Sequence, residues 1–311
     1  MEFSHIPVMF SQCMELLNIK PDGIYVDCTA GGGGHSQGIL DRLSLSGRLL
    51  AFDKDIEALD HCKNKFKDDK RVTLLKSDYK LAPQYLTDNS LKGKIDGILI
   101  DLGVSSFQLD NRERGFSYMS RDAALDMRMD KSQSLTAREI VNNYPQEEIY
   151  KIIKNYGEDK FAANIAKNIV IERQKQPIET TGQLADIVDK SIPYALKKTG
   201  GHPAKRTFMA LRIAVNGELD NLDKAITDLI RCLKSGGRIV ILTFHSLEDR
   251  IVKQTLNYLQ LDCVCDKKAP ICTCGKVKEI ELIRKFITAT EAEQLTNSRS
   301  ISAKLRAAEK I

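Results

Sequence analysis

Short apolar runs rich in β-branched residues recur along the first third of the chain, at Ile24 to Cys28, Arg48 to Asp53, Val72 to Lys76 and Ile95 to Asp101, and once more at Arg238 to Phe244. Each is shorter than an ordinary helix and nearly continuous in its apolar character, the pattern of a strand covered on both faces. Helical patterns lie before or between most of them. Strand and helix in alternation predict a parallel α/β sheet. The alternation then lapses, with no comparable run between Asp101 and Arg238. In that span Thr136-Ala137-Arg138-Glu139 and Thr180-Thr181-Gly182-Gln183 have capping-box spacing, each ahead of apolar residues at helical intervals. Pro145, Pro177 and Pro193 divide the region into short helices. The span therefore predicts an inserted helical domain of about 100 residues, large enough to hold its own core.

A helical pattern runs from Pro203 to Val215 and another from Leu219 to Leu233, where Lys234-Ser235-Gly236-Gly237 is expected to stop the helix and turn the chain into the strand at Arg238. Glu279 to Ile287 alternates and predicts an edge strand. The last stretch, Asn297 to Ile311, reads as a polar, basic tail with Arg299, Lys304, Arg306 and Lys310 against Glu309.

The most specific local signal is Asp27-Cys28-Thr29-Ala30-Gly31-Gly32-Gly33-Gly34-His35-Ser36, where the first strand breaks into four glycines and a helix opens. Glycines there let the backbone lie against a ligand, and Asp53, about 20 residues further on, is placed to accept ribose hydroxyls. The dinucleotide fingerprint G-x-G-x-x-G fails in every register. The looser D-x-G-x-G-x-G loop of methyltransferases is met by Asp27, Thr29, Gly31 and Gly33 with one substitution, and an acid near the loop suits the ammonium and sulfonium of S-adenosyl-L-methionine. The Lys234 to Arg238 turn resembles the one ahead of the fifth strand in class I methyltransferases.

Composition adds limits. Of 311 residues 42% are hydrophobic, enough for a large core, and no run approaches the roughly 18 residues of a membrane span. The start lacks a basic region followed by an apolar stretch, so the chain reads as cytoplasmic, with no membrane partner. A net charge of +5 permits a nucleic-acid partner without arguing for one; the stretch from Leu196 to Arg212, holding Lys197, Lys198, Lys205, Arg206 and Arg212 with no acid, argues more. Cys13, Cys28, Cys62 and Cys232 read as buried thiols. Cys263-Val264-Cys265 and Cys272-Thr273-Cys274 could supply four thiolates to zinc. Structural sites of that kind usually use C-x₂₋₄-C pairs, so reduced loop cysteines are the first expectation and no metal is assigned.

Ligands of such sheets bind beyond the carboxyl ends of the strands, which puts Asp101-Leu102-Gly103-Val104-Ser105-Ser106-Phe107-Gln108 at the chemistry. Enzymes that methylate exocyclic amines often carry an acid, Asn or Ser followed by Pro-Pro here; this chain has the acid and lacks the prolines. Attack at pyrimidine C5 would need a cysteine nucleophile, and none follows the fourth or fifth strand nearby.

These residues carry a family resemblance. The run Asp101 to Asp110, then Arg114-Gly115-Phe116-Ser117, Leu125 to Asp130, Lys205-Arg206-Thr207-Phe208, Phe244 to Arg250 and Ser302 to Lys310 is similar, in order and over nearly the whole chain, to the RsmH (MraW) family. The resemblance implies a Rossmann-like class I methyltransferase sheet, residues 1–109 and 208–311, with an inserted helical domain, residues 110–207, that recognises RNA. It implies transfer of a methyl group from S-adenosyl-L-methionine to N4 of a cytosine in the decoding region of 16S rRNA, within the small ribosomal subunit, and leaves a homodimer open. Cofactor contacts would be Gly33, Gly34, His35, Asp53, Tyr79, Asp101 and Gln108, with Tyr79 where the family more often has phenylalanine. Catalytic candidates are Asp101, Ser105, Ser106 and His245; candidate RNA contacts are Lys197, Lys198, Lys205, Arg206, Lys304 and Arg306. The other readings are methylation of DNA or another amine, and a non-catalytic, cofactor-binding assembly protein.

Overall fold

The five apolar runs form the parallel part of one seven-stranded sheet in a computed structural model, which describes residues 7–194, 201–266 and 271–311. Ile24–Asp27 (β1), Arg48–Asp53 (β2), Val72–Lys76 (β3), Ile95–Asp101 (β4) and Leu233–Thr243 (β5) are joined by Ile280–Thr288 (β6) and Lys304–Lys310 (β7) in the order β3-β2-β1-β4-β5-β7-β6. Burial explains why the central runs are unbroken in their apolar character: Ile95, Ile98, Leu99 and Ile100 of β4 are all fully enclosed. Parallel strands flank β1 on both sides, β2 on one and β4 on the other. The chain order reverses there, so β1 is the switch point of a doubly wound, Rossmann-like sheet, and the crevice for a ligand lies off its carboxyl end. Three strands end there in carboxylates, Asp27, Asp53 and Asp101.

The segment read as a basic tail is instead β7, antiparallel to both β5 and β6, with Ala308 opposite Ile239 and Leu305 opposite Leu242. Its signal in the sequence is weak because Leu305 is its one large apolar residue; Ala307 and Ala308 are buried but small. β6 is the edge strand, as the alternation predicts. The expected turn at Lys234 to Gly237 is a correction of detail. The strand already begins at Leu233, paired with Ile95, and the register slips before Gly97, with Gly236 at φ +74° absorbing the irregularity.

The chain packs as two compact units, Met1–Gly103 with Asn221–Ile311, and Val104–Asp220, against sequence bounds of 110 and 207 for the insertion. In the described part of the first unit the helices are Phe10–Leu17 (α1), Gly34–Leu40 (α2), Ile56–Lys65 (α3), Ala82–Asp88 (α4), and, past the insertion, Leu222–Cys232, Ser246–Gln260 and Glu291–Thr296. The second unit holds Ser106–Asp110 (α5), Ala137–Asn143 (α6), Gln146–Gly157 (α7), Ala162–Arg173 (α8), Thr181–Ser191 (α9) and Lys205–Asn216 (α10). The later helices of the first unit are α11, α12 and α13 in chain order. Both capping boxes read from sequence sit at helix starts: Thr136 Oγ1 accepts from the Glu139 amide ahead of α6, and Thr180 and Gln183 cap α9 reciprocally. Phe208, Leu211 and Val215, at helical spacing on α10, join the same core as Ile149, Ile153, Ile165 and Val188. That packing is why the helical unit extends through α10.

Candidate active site

The glycine loop is held from both ends by carboxylates. Asp27, fully buried, accepts from the Thr29 amide at 3.1 Å and from the Ser36 hydroxyl at 2.6 Å, which ties the end of β1 to α2. Burial pushes its carboxyl up, and the two donors pull it back. Asp53 Oδ2 accepts from the Gly31 amide at 2.8 Å and Oδ1 from the Asp55 amide at 2.9 Å, so β2 grips the loop as well. Burial raises Asp53 to about 6. Gly33 sits at φ +69°, and a Cβ there would lie 3.0 Å from the Phe66 ring and 3.1 Å from Cys62 Sγ. Only glycine fits that conformation without strain. Its carbonyl, like that of Gly32, is engaged by Lys65 Nζ, at 3.0 and 3.4 Å. Gly34 opens α2, against Pro7. Tyr79 starts a short helical turn just past β3, where the Ser77 amide continues the ladder to the Asp53 carbonyl at 3.0 Å.

Asp101 ends β4 and is wired to the same loop: its amide donates to Thr29 Oγ1 at 2.8 Å. Its side chain keeps 28% of its surface open to solvent, while Oδ1 is enclosed and has no hydrogen-bond partner among the described residues. Oδ2 stands 3.6 Å from His35 Nδ1. Burial, then the nearby carboxylates of Asp27 and Glu248, push the Asp101 carboxyl up to about 8. His35 is 6% exposed, and burial lowers it to about 4, so the ring is neutral at pH 7. Its Nε2 lies 3.2 Å from the Val8 carbonyl, which can only accept. The ring proton is therefore on Nε2, and the Nδ1 lone pair faces Asp101. A neutral acid beside a neutral imidazole is a site that lacks a positive charge.

The other expected residues sort differently. His245 caps α12: its Nδ1 accepts from the Glu248 amide at 3.5 Å, and Glu248 Oε2 accepts from the Phe244 amide at 2.9 Å. Ser105 and Gln108 are paired with each other across the start of α5, Ser105 Oγ accepting from the Gln108 amide at 3.2 Å and Gln108 Oε1 from the Ser105 amide at 3.0 Å. Ser106 is the first residue of α5. The charged cluster at 126–130 is a self-contained loop, with Arg128 bidentate on Asp126 at 2.8 Å and also bonded to the Gln133 carbonyl. Lys205 and Arg206 are exposed at the start of α10. Lys197 and Lys198 lie outside the described residues. Lys304 and Arg306 both bond Asp249, at 3.0 and 2.7 Å; Arg306 is buried there, which takes it away from a phosphate, while the Lys304 side chain stays 41% exposed. Sequence reasoning missed Thr29, Ser36 and Lys65. The first two lie in the glycine motif itself, and their polar side chains flanking a D-x-x-x-G loop were the available signal.

A family model described as the MraW methylase family matches residues 2–311. The chain belongs to the MraW methylase family. Curated relatives include the ribosomal RNA small subunit methyltransferase H of Clostridioides difficile, 51% identical over all of both chains. The protein of that name from Caldicellulosiruptor saccharolyticus is 52% identical over 99% of this chain and 100% of its own, and that from Brevibacillus brevis 50% over 100% and 99%. Among solved structures, an rRNA methylase from Streptococcus thermophilus aligns with a TM-score of 0.40 at 11% identity, over 97% of this chain and 93% of that one. The match to the MraW methylase family runs through both units without a break, so the helical insertion and β7 belong to what the family shares. No helix among the described residues is long and apolar enough to cross a membrane.

Proposed function

We propose that this chain transfers a methyl group from S-adenosyl-L-methionine to the exocyclic N4 of a cytosine in the decoding region of small-subunit ribosomal RNA. The observation that carries the reading is Asp101, a carboxyl group at the switch point, partly open to solvent and with one oxygen that has no hydrogen-bond partner among the described residues. The residues fit the donor. A side chain at Gly33 or Gly34 would run into Phe66, Cys62 or Pro7, so the loop is bare backbone; Asp53, which holds the Gly31 amide, is placed to accept ribose hydroxyls, Tyr79 starts the turn after β3, and Asp101 offers a carboxyl that a bound cation would hold ionised.

S-adenosyl-L-methionine supplies an electrophilic methyl carbon on a sulfonium. The task left to the protein is to present the nitrogen. A cytosine amino group is a poor nucleophile because its lone pair is shared with the ring. The solvent-open part of the Asp101 carboxylate, by accepting one amino hydrogen, orients the other face of the nitrogen and favours localisation of that pair. As the methyl carbon passes to the nitrogen its bond to the sulfonium sulfur would break, and the nitrogen would become cationic and its proton acidic; Asp101, deprotonated once the cationic donor is bound, would take that proton and return it to solvent. A carboxyl raised toward 8 holds a proton better than an ordinary one. Attack at C5 is disfavoured by the structure's thiols: Cys28, at the end of β1, and Cys13 are buried and their thiols are pushed well above the usual value by burial. We assign RNA recognition to the helical unit, with Lys205 and Arg206 on phosphates, a reading supported by the names of the relatives. A base in folded RNA must be splayed out to be reached, which costs a few kcal/mol.

The test is transfer of labelled methyl from S-adenosyl-L-methionine to small subunits prepared from a strain lacking the modification, followed by mapping. Label on N4 of a cytosine supports the reading; label elsewhere, or none, sinks it. Asp101→Ala should abolish transfer while the fold persists.

A further inference from the structure

We propose that Cys263, Cys265, Cys272 and Cys274 form a structural zinc site. The four sulfurs all lie within 4.8 Å of one another. Cys263 and Cys272 are 3.5 Å apart, Cys272 and Cys274 3.6 Å, Cys265 and Cys272 3.9 Å, and Cys263 and Cys274 3.9 Å. Four thiolates placed about 2.3 Å from one ion sit about 3.8 Å apart along the edges of a tetrahedron. The observed separations straddle that value, and each is far too long for a disulfide bond, about 2.05 Å. The two C-x-C pairs interlock: the amide of Val264, inside the first pair, donates to Cys274 Sγ of the second at 3.4 Å, and the Cys265 amide donates to Cys263 Sγ at 3.4 Å. Amides aimed at sulfur favour the thiolate form that a metal binds, and they orient the ligands.

Among the described residues, ion pairs of Lys276 and Glu279 anchor the far end of the segment, and little around the sulfurs themselves draws them together. Residues 261–279 join α12 to β6 without a helix or strand in their described part. Connections that long are uncommon unless something holds them. Apolar burial does not, since Leu261, Val264, Ile271 and Val277 are 45%, 46%, 74% and 71% exposed. The sulfurs are themselves at the surface, Cys272 and Cys274 being exposed. Four soft thiolates, with no fifth His, Cys or carboxylate grouped with them among the described residues, favour zinc among common ions and fill its four positions, so the site is structural. The spacing argument made from sequence favoured unmetallated cysteines because C-x-C pairs are unusual in such sites; the geometry resolves this, because each pair supplies neighbouring corners of one tetrahedron.

The experiment uses the full chain, purified under reducing conditions without chelator and with any affinity tag removed. Elemental analysis should find one zinc per chain in the wild type. Replacing zinc with cobalt(II) should give the intense visible bands of tetrahedral thiolate coordination. A Cys272→Ser, Cys274→Ser variant should lose at least about tenfold of its bound zinc and lack the cobalt spectrum. Removing zinc from the wild type should speed proteolytic cutting between residues 261 and 279 while circular dichroism of the sheet and helices is kept. That last measurement stands even if the variant misfolds. Reduced, folded wild type with far less than one zinc per chain and no cobalt spectrum overturns the proposal. So does zinc content unchanged in the double variant, or iron as the bound metal.

Discussion

If Asp101 serves a cation, donor binding must be linked to a proton. In the free protein the carboxyl is held up to about 8, so at pH 7 it carries about 0.9 proton, and at pH 8 about half of one. A bound sulfonium or ammonium favours the carboxylate, so binding releases that proton. Each pH unit below 8 then weakens affinity by about tenfold, about 1.36 kcal/mol, and the curve flattens above 8. Asp53, raised to about 6, adds a second tenfold per unit only below that value. Calorimetric titration of S-adenosyl-L-methionine at pH 7, in two buffers of different ionisation enthalpy, should therefore report about 0.9 proton released per molecule bound. Asp101→Asn keeps the shape and removes the titration; it should release none above pH 7 and show affinity flat from pH 7 to 9.

The same group sets a stability slope of known sign. An acid whose folded value lies above its unfolded value contributes fully below the unfolded value, near 3.8, and the contribution is lost as pH rises through the folded value, near 8. The shift from 3.8 to about 8 corresponds to about 5–6 kcal/mol undiscounted; with 28% of the side chain in water, a gain of about 2–3 kcal/mol is expected for Asp101→Asn above pH 8. Chemical denaturation at pH 6 and pH 9 measures it. Wild type that releases no proton on binding, or an Asn variant with the same pH slope as wild type, would refute the assignment of Asp101 to the cation.

Gly33→Ala forces a Cβ into φ +69° beside Phe66 and should destabilise the fold by about 1–3 kcal/mol, read as a shift in denaturant midpoint at unchanged slope. Asp53→Asn leaves the Gly31 amide a neutral acceptor and removes the charge offered to ribose; donor affinity should fall by about 10–100-fold with the circular dichroism unchanged. Arg306→Met leaves Asp249 with Lys304 as its one remaining cation, of the two that hold it below the usual range although burial alone would raise it, and should cost about 1–3 kcal/mol of stability without altering the salt dependence of RNA binding. Arg206→Ala and Lys205→Ala should each reduce the slope of log affinity against log salt by about 1, and leave donor binding as it was; an unchanged slope in both would remove α10 from the RNA contacts.

How much of the fold was legible depended on whether an element carries its own signal. The inner parallel strands β1, β2 and β4 did, because most of their positions are buried and therefore apolar; β3, at the edge and only partly covered, was legible from its β-branched and leucine run. β7 did not: a strand made of Lys304, Leu305, Arg306, Ala307 and Ala308 takes its burial from what flanks it, and its two cations share Asp249, a residue of a helix more than fifty positions away. Reading that strand as a phosphate-binding tail follows from composition, and composition does not report pairing. The start of α10 shows the converse, a basic stretch whose Lys205 and Arg206 do remain at the surface.

The candidate site divides along the same line. Gly31, Gly33 and Asp53 were legible because local backbone conformation and a fixed spacing demand them. Asp101 was legible by position, as the residue that ends a strand at the switch point, but its chemistry was not. A carboxyl raised toward 8 exists because burial withholds water, Asp27 and Glu248 repel its charge, and His35 is kept neutral by its own burial and by the Val8 carbonyl. Those are distances between four separate segments. The residue that connects motif to chemistry, Thr29, lies inside the glycine signature and reads there as filler. Its hydroxyl accepts the Asp101 amide, which ties the loop to the end of β4. If Asp101 positions the base as proposed, Thr29→Val, which keeps the volume and removes the acceptor, should lower the transfer rate more than it lowers donor affinity.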